Sequence, residues 1–127
     1  MPVVIDTNAL IFAFSGSPRL TRVAAAAMSN ADVERLVSTV SIYEVALKHR
    51  SGRLTVSPDE VARGVRASGL RFVAPSAAIM HRAATLDWEV RDPWDRIVAA
   101  TAIEAAGGRV VTRDRAFDAL AAVERIW

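Results

Sequence analysis

The chain has 127 residues, 52% of them hydrophobic, and a formal net charge of +2. That length fits one domain with a real apolar core; the apolar content excludes global disorder, and the lack of cysteine excludes disulfides and thiolate metal sites. No apolar stretch approaches the roughly 20 residues needed to cross a bilayer, and the opening Met-Pro-Val-Val-Ile-Asp has no basic segment followed by a long apolar one, so a soluble, cytoplasmic protein without a membrane partner is expected.

The β-branched run Val3-Val4-Ile5 reads as a buried strand that ends at Asp6. Thr7-Asn8 offers capping oxygens for a helix carrying Leu10, Ile11 and Phe14. Ser15-Gly16-Ser17-Pro18 is a turn, residues 20–28 form an Ala-rich helix, and Asn30-Ala31-Asp32 breaks it. A second strand is expected over residues 36–40. Ser41 then opens a helix that puts Glu44 in its first turn, and Ser51-Gly52 closes it. Ser57-Pro58-Asp59-Glu60 is a helix start with a Ser cap, Pro in the first turn and acids at the positive end of the helix dipole; Gly69 stops that helix. Arg71-Phe72-Val73 is a weak third strand, and residues 76–86 form a helix. Pro93 begins a long helix to about Ala106, which Gly107-Gly108 terminates. Arg109-Val110-Val111-Thr112 is the fourth strand, Asp114 starts a short helix with Phe117 and Leu120, and residues 123–126 form a last edge strand. Short strands alternating with helices predict a three-layer α/β/α fold, a short parallel sheet with helices on both faces, in a single domain spanning residues 1–127.

Four acidic signatures sit where an apolar run or loop gives way to a helix: Asp6-Thr7-Asn8, Ser41-Ile42-Tyr43-Glu44, Asp92-Pro93-Trp94-Asp95-Arg96 and Thr112-Arg113-Asp114. In an open parallel sheet, ligands bind beyond the carboxyl ends of the strands. Each acid also has a local explanation. Ser41-x-x-Glu44 has the spacing of a capping box, Asp92 before Pro93 is a good N-cap, Asp95 at the third helical position suits the dipole, and Asp114 can cap the next helix. One converging site accounts for all four at once. Clustered carboxylates repel unless a cation lies between them, and Mg²⁺ or Mn²⁺ prefers oxygen ligands and can activate water at a phosphorus centre.

The chain resembles PIN-domain ribonucleases of the VapC toxin type. The resemblance rests on Ile5-Asp6-Thr7-Asn8-Ala9-Leu10, on Ser41-x-x-Glu44 with the basic stretch Lys48-His49-Arg50 and Arg53, on Asp92-Pro93-Trp94-Asp95-Arg96, and on Val111-Thr112-Arg113-Asp114. It runs over nearly the whole chain. It implies that Asp6, Glu44, Asp95 and Asp114 are catalytic and bind Mg²⁺ or Mn²⁺, that RNA is the substrate, and that the protein is a homodimer blocked by a small antitoxin. The Ala-rich helices at residues 23–28 and 97–106 are candidates for close packing between copies. The rival readings are a non-catalytic RNA- or protein-binding module of the same fold and a metal-dependent phosphatase.

Four further residues are candidate supports for the acids or the substrate. Asn8 can orient Asp6 or cap a helix, Asp92 lies beside Asp95, Thr112 can bond Asp114, and Arg96 can stabilise charge on the phosphate. Lys48, His49, Arg50 and Arg53 can meet RNA or simply complement a helix C-terminus. Among the 16 basic residues only Lys48 is lysine. Arginine binds phosphate bidentately, although genomic base composition also favours Arg and Ala together. Packing is the expected role of Trp88, Trp94 and Trp127, as is a structural role for His81. Two histidines without cysteine argue against zinc, and no Gly-rich phosphate loop is present.

Overall fold

The computed structural model describes residues 1–127. Its strands form where β-branched runs are bounded by turns: β1 Val3–Ile5, β2 Arg35–Ser38, β3 Arg71–Val73, β4 Arg109–Val111 and β5 Glu124–Ile126. They make one sheet in the order β3-β2-β1-β4-β5, and every neighbouring pair is parallel. Six helices connect them: α1 Thr7–Phe14, α2 Arg22–Ser29, α3 Val40–Arg50, α4 Pro58–Ala67, α5 Ala77–Thr85 and α6 Pro93–Ala105, followed by a short 3-10 helix at Arg115–Ala119.

Strand side chains alternate between the two faces of the sheet. Val3, Ile5, Val37 and Val111 point into a layer with α1, α2, α3 and α4, where Leu10, Met28, Val45, Val61 and Val65 are buried. Val4, Leu36 and Val110 face the opposite way, onto Val98, Ala99 and Ala102 of α6 and onto Phe117. Helix α5 packs Ile79 and Ala83 on Ile97 and Ala100 of α6. The expected three-layer α/β/α architecture is therefore formed. Both faces of the sheet are covered, which is why its inner strands read as continuous apolar runs rather than alternating ones.

Several local details differ from expectation. Strand β2 stops at Ser38, not at residue 40, because its neighbour β3 ends at Val73, the register partner of Ser38. The Thr39 N–H takes a last bond to the Val73 carbonyl (3.0 Å), and the chain turns straight into α3. The helix beginning at Asp114 is a short 3-10 helix. At the α6–β4 turn Gly108 has φ +85°, and a Cβ there would lie 1.9 Å from the Ala122 carbonyl oxygen. Only glycine fits where β4 enters the sheet.

Arg35, at the start of β2, is 9% exposed and has no carboxylate partner. Its guanidinium donates to the carbonyls of Met28 (2.8 Å), Ser68 (3.3 Å) and Gly69 (3.5 Å). These belong to the C-terminal ends of α2 and α4, where unpaired carbonyls and the helix dipole favour a cation. Helix α6 spends residues 97–102 inside the chain itself, where all are buried, and leaves only residues 103–105 of its Ala-rich stretch partly or fully exposed. Helix α2 retains an outward face at Val23, which is 58% exposed.

In this strand order the chain moves from β1 to β2 and β3 in one direction, and then returns to the other side of β1 with β4 and β5. The reversal lies between β1 and β4. Loops leaving the carboxyl ends of those two strands diverge and leave a crevice.

Candidate active site

Asp6 stands at that crevice because β1 ends one residue earlier. Its Oδ1 accepts the Thr7 N–H at 2.8 Å, so Asp6 itself caps α1. This replaces the expected cap at Thr7 or Asn8. Asn8 serves the other role: its amide donates to Asp6 Oδ2 (3.1 Å) and to Thr112 Oγ1 (3.3 Å), and its carbonyl oxygen accepts the Arg113 N–H (3.3 Å). Thr112 lies just past β4. Its hydroxyl donates to Asp6 Oδ2 at 2.7 Å and accepts the Asp114 N–H at 3.1 Å. The hydroxyl's one proton and its acceptor sites are thereby all engaged, and Asp6 is held from both strands.

Glu44 lies in the second turn of α3, because the helix already starts at Val40. The capping-box reading of Ser41 and Glu44 does not hold. The cap position is Thr39, without a side-chain bond, and Ser41 is buried with its hydroxyl 2.8 Å from Thr7 Oγ1. That contact ties α3 to α1. Glu44 instead pairs with Lys48 one turn later at 2.8 Å. The i, i+4 spacing of Glu and Lys is the sequence signal for this pair, and it gives Lys48 a role inside the crevice rather than only at a helix end.

Asp92 caps α6 by accepting the Trp94 N–H at 2.9 Å, Pro93 is the first helical residue, and Asp95 falls third. Asp114 accepts the Ala116 N–H at 2.9 Å and caps the 3-10 helix. Asp6, Asn8, Glu44, Lys48, Asp92 and Asp95 line one cavity of about 350 Å³. Asp114 lines an adjoining cavity that shares Asn8 and Phe12 with the first.

Arg96, a candidate phosphate contact, spends most of its donors on the backbone. Its guanidinium donates to the carbonyls of Ala83 (2.7 Å), Leu86 (2.6 Å), Trp88 (3.0 Å) and Val90 (2.7 Å). It therefore fixes the segment between α5 and α6 with four of its five N–H groups, which makes it first a structural residue. The tryptophans pack as expected. Trp88 meets Phe117 edge-on at 5.1 Å and donates to the Ala116 carbonyl, Trp94 lies 5.2 Å from Tyr43, and Trp127 lies 6.1 Å from Phe12. His81 is exposed on α5, and Arg50 and Arg53 are exposed around the end of α3.

The acids interact electrically. Burial pushes the Asp6 carboxyl from 3.8 up to about 6; bonds from Thr112 and Thr7 pull it back, and the charges of Glu44 and Asp114 push it further up. Burial also dominates at Asp95, with Asp6, Asp92, Asp114 and Glu44 adding repulsion, and the result is about 7. No three Asp, Glu or His side chains stand close enough together to enclose a metal ion. Lys48 draws on Glu44, and Asp6 and Asp114 each spend carboxylate oxygens on backbone N–H groups.

A family model, that of the PIN domain, matches residues 3–123. Among curated proteins none matches significantly by sequence. Among solved structures, the chain is similar to VapBC2 from Rickettsia felis bound to a DNA fragment from their promoter, with a TM-score of 0.69 and 15% identity over 99% of both chains. It is also similar to a toxin–antitoxin complex from Klebsiella pneumoniae, with a TM-score of 0.68 and 23% identity over 96% of this chain and 95% of that one.

Proposed function

The chain belongs to the PIN-domain family, and we propose on that footing that it is a Mg²⁺- or Mn²⁺-dependent ribonuclease, the toxin of a toxin–antitoxin pair acting in the cytoplasm. The observation that carries this reading is the coupling of carboxylates from four separate segments at the β1–β4 crevice. Burial, with the neighbouring acids adding repulsion, holds Asp6 near 6 and Asp95 near 7. Burial of mutually repelling acids is unfavourable unless a cation offsets it.

The donor set fits a hard divalent ion. All the candidate ligands are oxygens, and Mg²⁺ keeps several waters and is commonly bound through one or two carboxylates rather than by an all-protein cage. An open arrangement with no three acids in contact suits that habit. Asp6, Glu44, Asp95 and Asp114 are the residues from which such an ion would draw its one or two carboxylates. When bound, such an ion neutralises the acids, lowers the pKa of a water and offsets charge on a phosphate.

The chain's own residues have the following parts. Thr112, Asn8 and the Thr7 N–H fix both oxygens of Asp6. Asp92 and Pro93 start α6 so that Asp95 is one turn in and faces the crevice. Lys48 supplies a positive charge beside Glu44, where it can accompany an incoming phosphate. The fold of the two toxin–antitoxin neighbours supports a small antitoxin as partner, and a homodimer through the outward face of α2 at Val23 accords with the same reading. No helix is long and apolar enough to cross a membrane.

The test is cleavage of total RNA by the purified chain in Mg²⁺ or Mn²⁺, with a generic phosphate monoester alongside. RNA cleavage that chelator abolishes, with the monoester untouched, is expected. Hydrolysis of the monoester alone would make the protein a phosphatase, and RNA retention without cleavage would make it a binding module. The toxin role predicts growth arrest on expression, relieved by a small neighbouring gene product.

A further inference from the structure

Three cavities lie side by side, neighbours sharing lining residues. The acidic cavity, of about 350 Å³, shares Asn8 and Phe12 with a second of about 340 Å³. The second shares Arg113 and Arg115 with a third of about 500 Å³, which Arg125 and Trp127 complete. Along this path the charge reverses. The carboxylates lie at one end and three arginines at the other.

Arg113 and Arg115 are exposed, and neither forms an ion pair. Arg125 is paired through Nε with Asp118 at 2.9 Å, which leaves its terminal nitrogens free of that bond. Two aromatic rings border the path: Phe12, with the Arg113 guanidinium 6.0 Å from its centroid, and Trp127, 6.1 Å from Phe12. Both are only partly buried. Packing alone does not require two unpaired arginines on either side of Asp114. Arginines spaced along a groove with aromatic faces between them match a single-stranded nucleic acid, in which phosphates meet guanidinium groups and unstacked bases find rings.

We propose that Arg113, Arg115, Arg125 and Trp127 form a flanking subsite that holds the RNA strand on one side of the bond presented to the acidic crevice. This rests on the ribonuclease reading, because it is the acidic end that fixes which part of the strand reacts. The arginines act by binding and positioning. A short substrate that ends at the crevice would not reach Arg125 and Trp127.

The test measures binding separately from cleavage. A fluorescent single-stranded RNA of about a dozen nucleotides is titrated with the chain in chelator, and with the Asp95→Asn variant in Mg²⁺, over a range of salt. The double variant Arg113→Ala/Arg115→Ala should bind at least about tenfold more weakly, and the slope of log K against log salt should fall by about 1.4, two phosphate contacts at about 0.7 each for single strands. Trp127→Ala should weaken binding about tenfold with the slope unchanged, as expected for stacking. Arg63→Ala/Arg66→Ala, two exposed arginines on α4, removes the same charge away from the groove and should retain wild-type affinity and slope. With active protein, the Arg113/Arg115 change should lower kcat/KM for the long RNA more than for a dinucleotide.

Equal weakening by the α4 pair would overturn the subsite in favour of general charge attraction. Wild-type RNA affinity in the Arg113/Arg115 variant, with binding of a protein partner lost instead, would assign the groove to that partner and also overturn it. Arginine-dependent RNA binding by a chain that never cleaves would keep the subsite and reject the nuclease reading. Normal cleavage with unchanged affinity in the variants would do the reverse.

Discussion

Thr112 Oγ1 donates to Asp6 Oδ2 at 2.7 Å and so bridges the ends of β4 and β1, 106 residues apart in the chain. The bond lowers the Asp6 pKa against the rise from burial, so it favours the ionised form that a cation needs. Thr112→Val keeps the shape and removes the bond. Metal affinity or RNA cleavage should fall about 10- to 100-fold, the usual effect of losing a partner that orients a ligand, and Thr112→Ser should recover most of it. Normal cleavage by Thr112→Val would leave the hydroxyl a purely structural group.

Stability should fall with rising pH in the absence of metal. Asp6 and Asp95 ionise near 3.8 in the unfolded chain and near 6 and 7 in the folded one. Between those values the folded state holds more protons, so unfolding free energy decreases as pH rises. The contribution of these two groups is complete below about 4, is lost progressively up to about 7 and is flat beyond. Melting in chelator at pH 5 and pH 8 checks this, provided other groups are controlled with Asp95→Asn, which should flatten the profile. Mg²⁺ or Mn²⁺ should raise the melting temperature most at pH 8, since it binds the ionised form. A melting temperature that climbs steadily from pH 5 to pH 8 in chelator contradicts the buried acids as described.

Asp92 and Asp95 should separate cleanly. Asn caps a helix about as well as Asp, so Asp92→Asn should keep both stability and most activity. Asp95→Asn should fold and, at low salt and pH 8, melt no lower than wild type, yet lose about two orders of magnitude or more in cleavage rate. The reverse pattern of activities would mean that Asp92 is the catalytic group of the two.

Arg96 should behave as a structural residue. Its four carbonyl bonds hold residues 83–90, and charge-assisted bonds of this kind contribute about 1.5–3 kcal/mol each when one partner is removed. Arg96→Ala should lower stability by at least about 2 kcal/mol, measured by denaturant unfolding. The protein that remains folded should keep its specific activity at low temperature. A stable but inactive Arg96→Ala would restore it as a phosphate contact.

Local rules explain why much of this protein is legible in its sequence. Strand β1 is recognisable because three β-branched or apolar residues meet a capping aspartate, and α6 because Asp-Pro followed by an acid starts a helix in a defined register. The third helical position of Asp95 and the parallel α/β class follow from such neighbouring residues. Where sequence and structure part, distant groups are responsible. Strand β2 is cut short by the length of β3, which no residue of β2 records. Ser41 has the spacing of a cap but meets Thr7 across the domain. Arg96 carries the charge of a phosphate ligand, yet its partners are carbonyls freed only because the chain between α5 and α6 is non-helical. Likewise the groove from Asn8 past Arg113 to Trp127 exists because the strand order reverses at β1 and β4 and sets β5 beside β4. Capping, periodicity and turn chemistry act over a few residues and are written in the chain; which buried donor finds which acceptor depends on packing that brings together groups up to 106 positions apart.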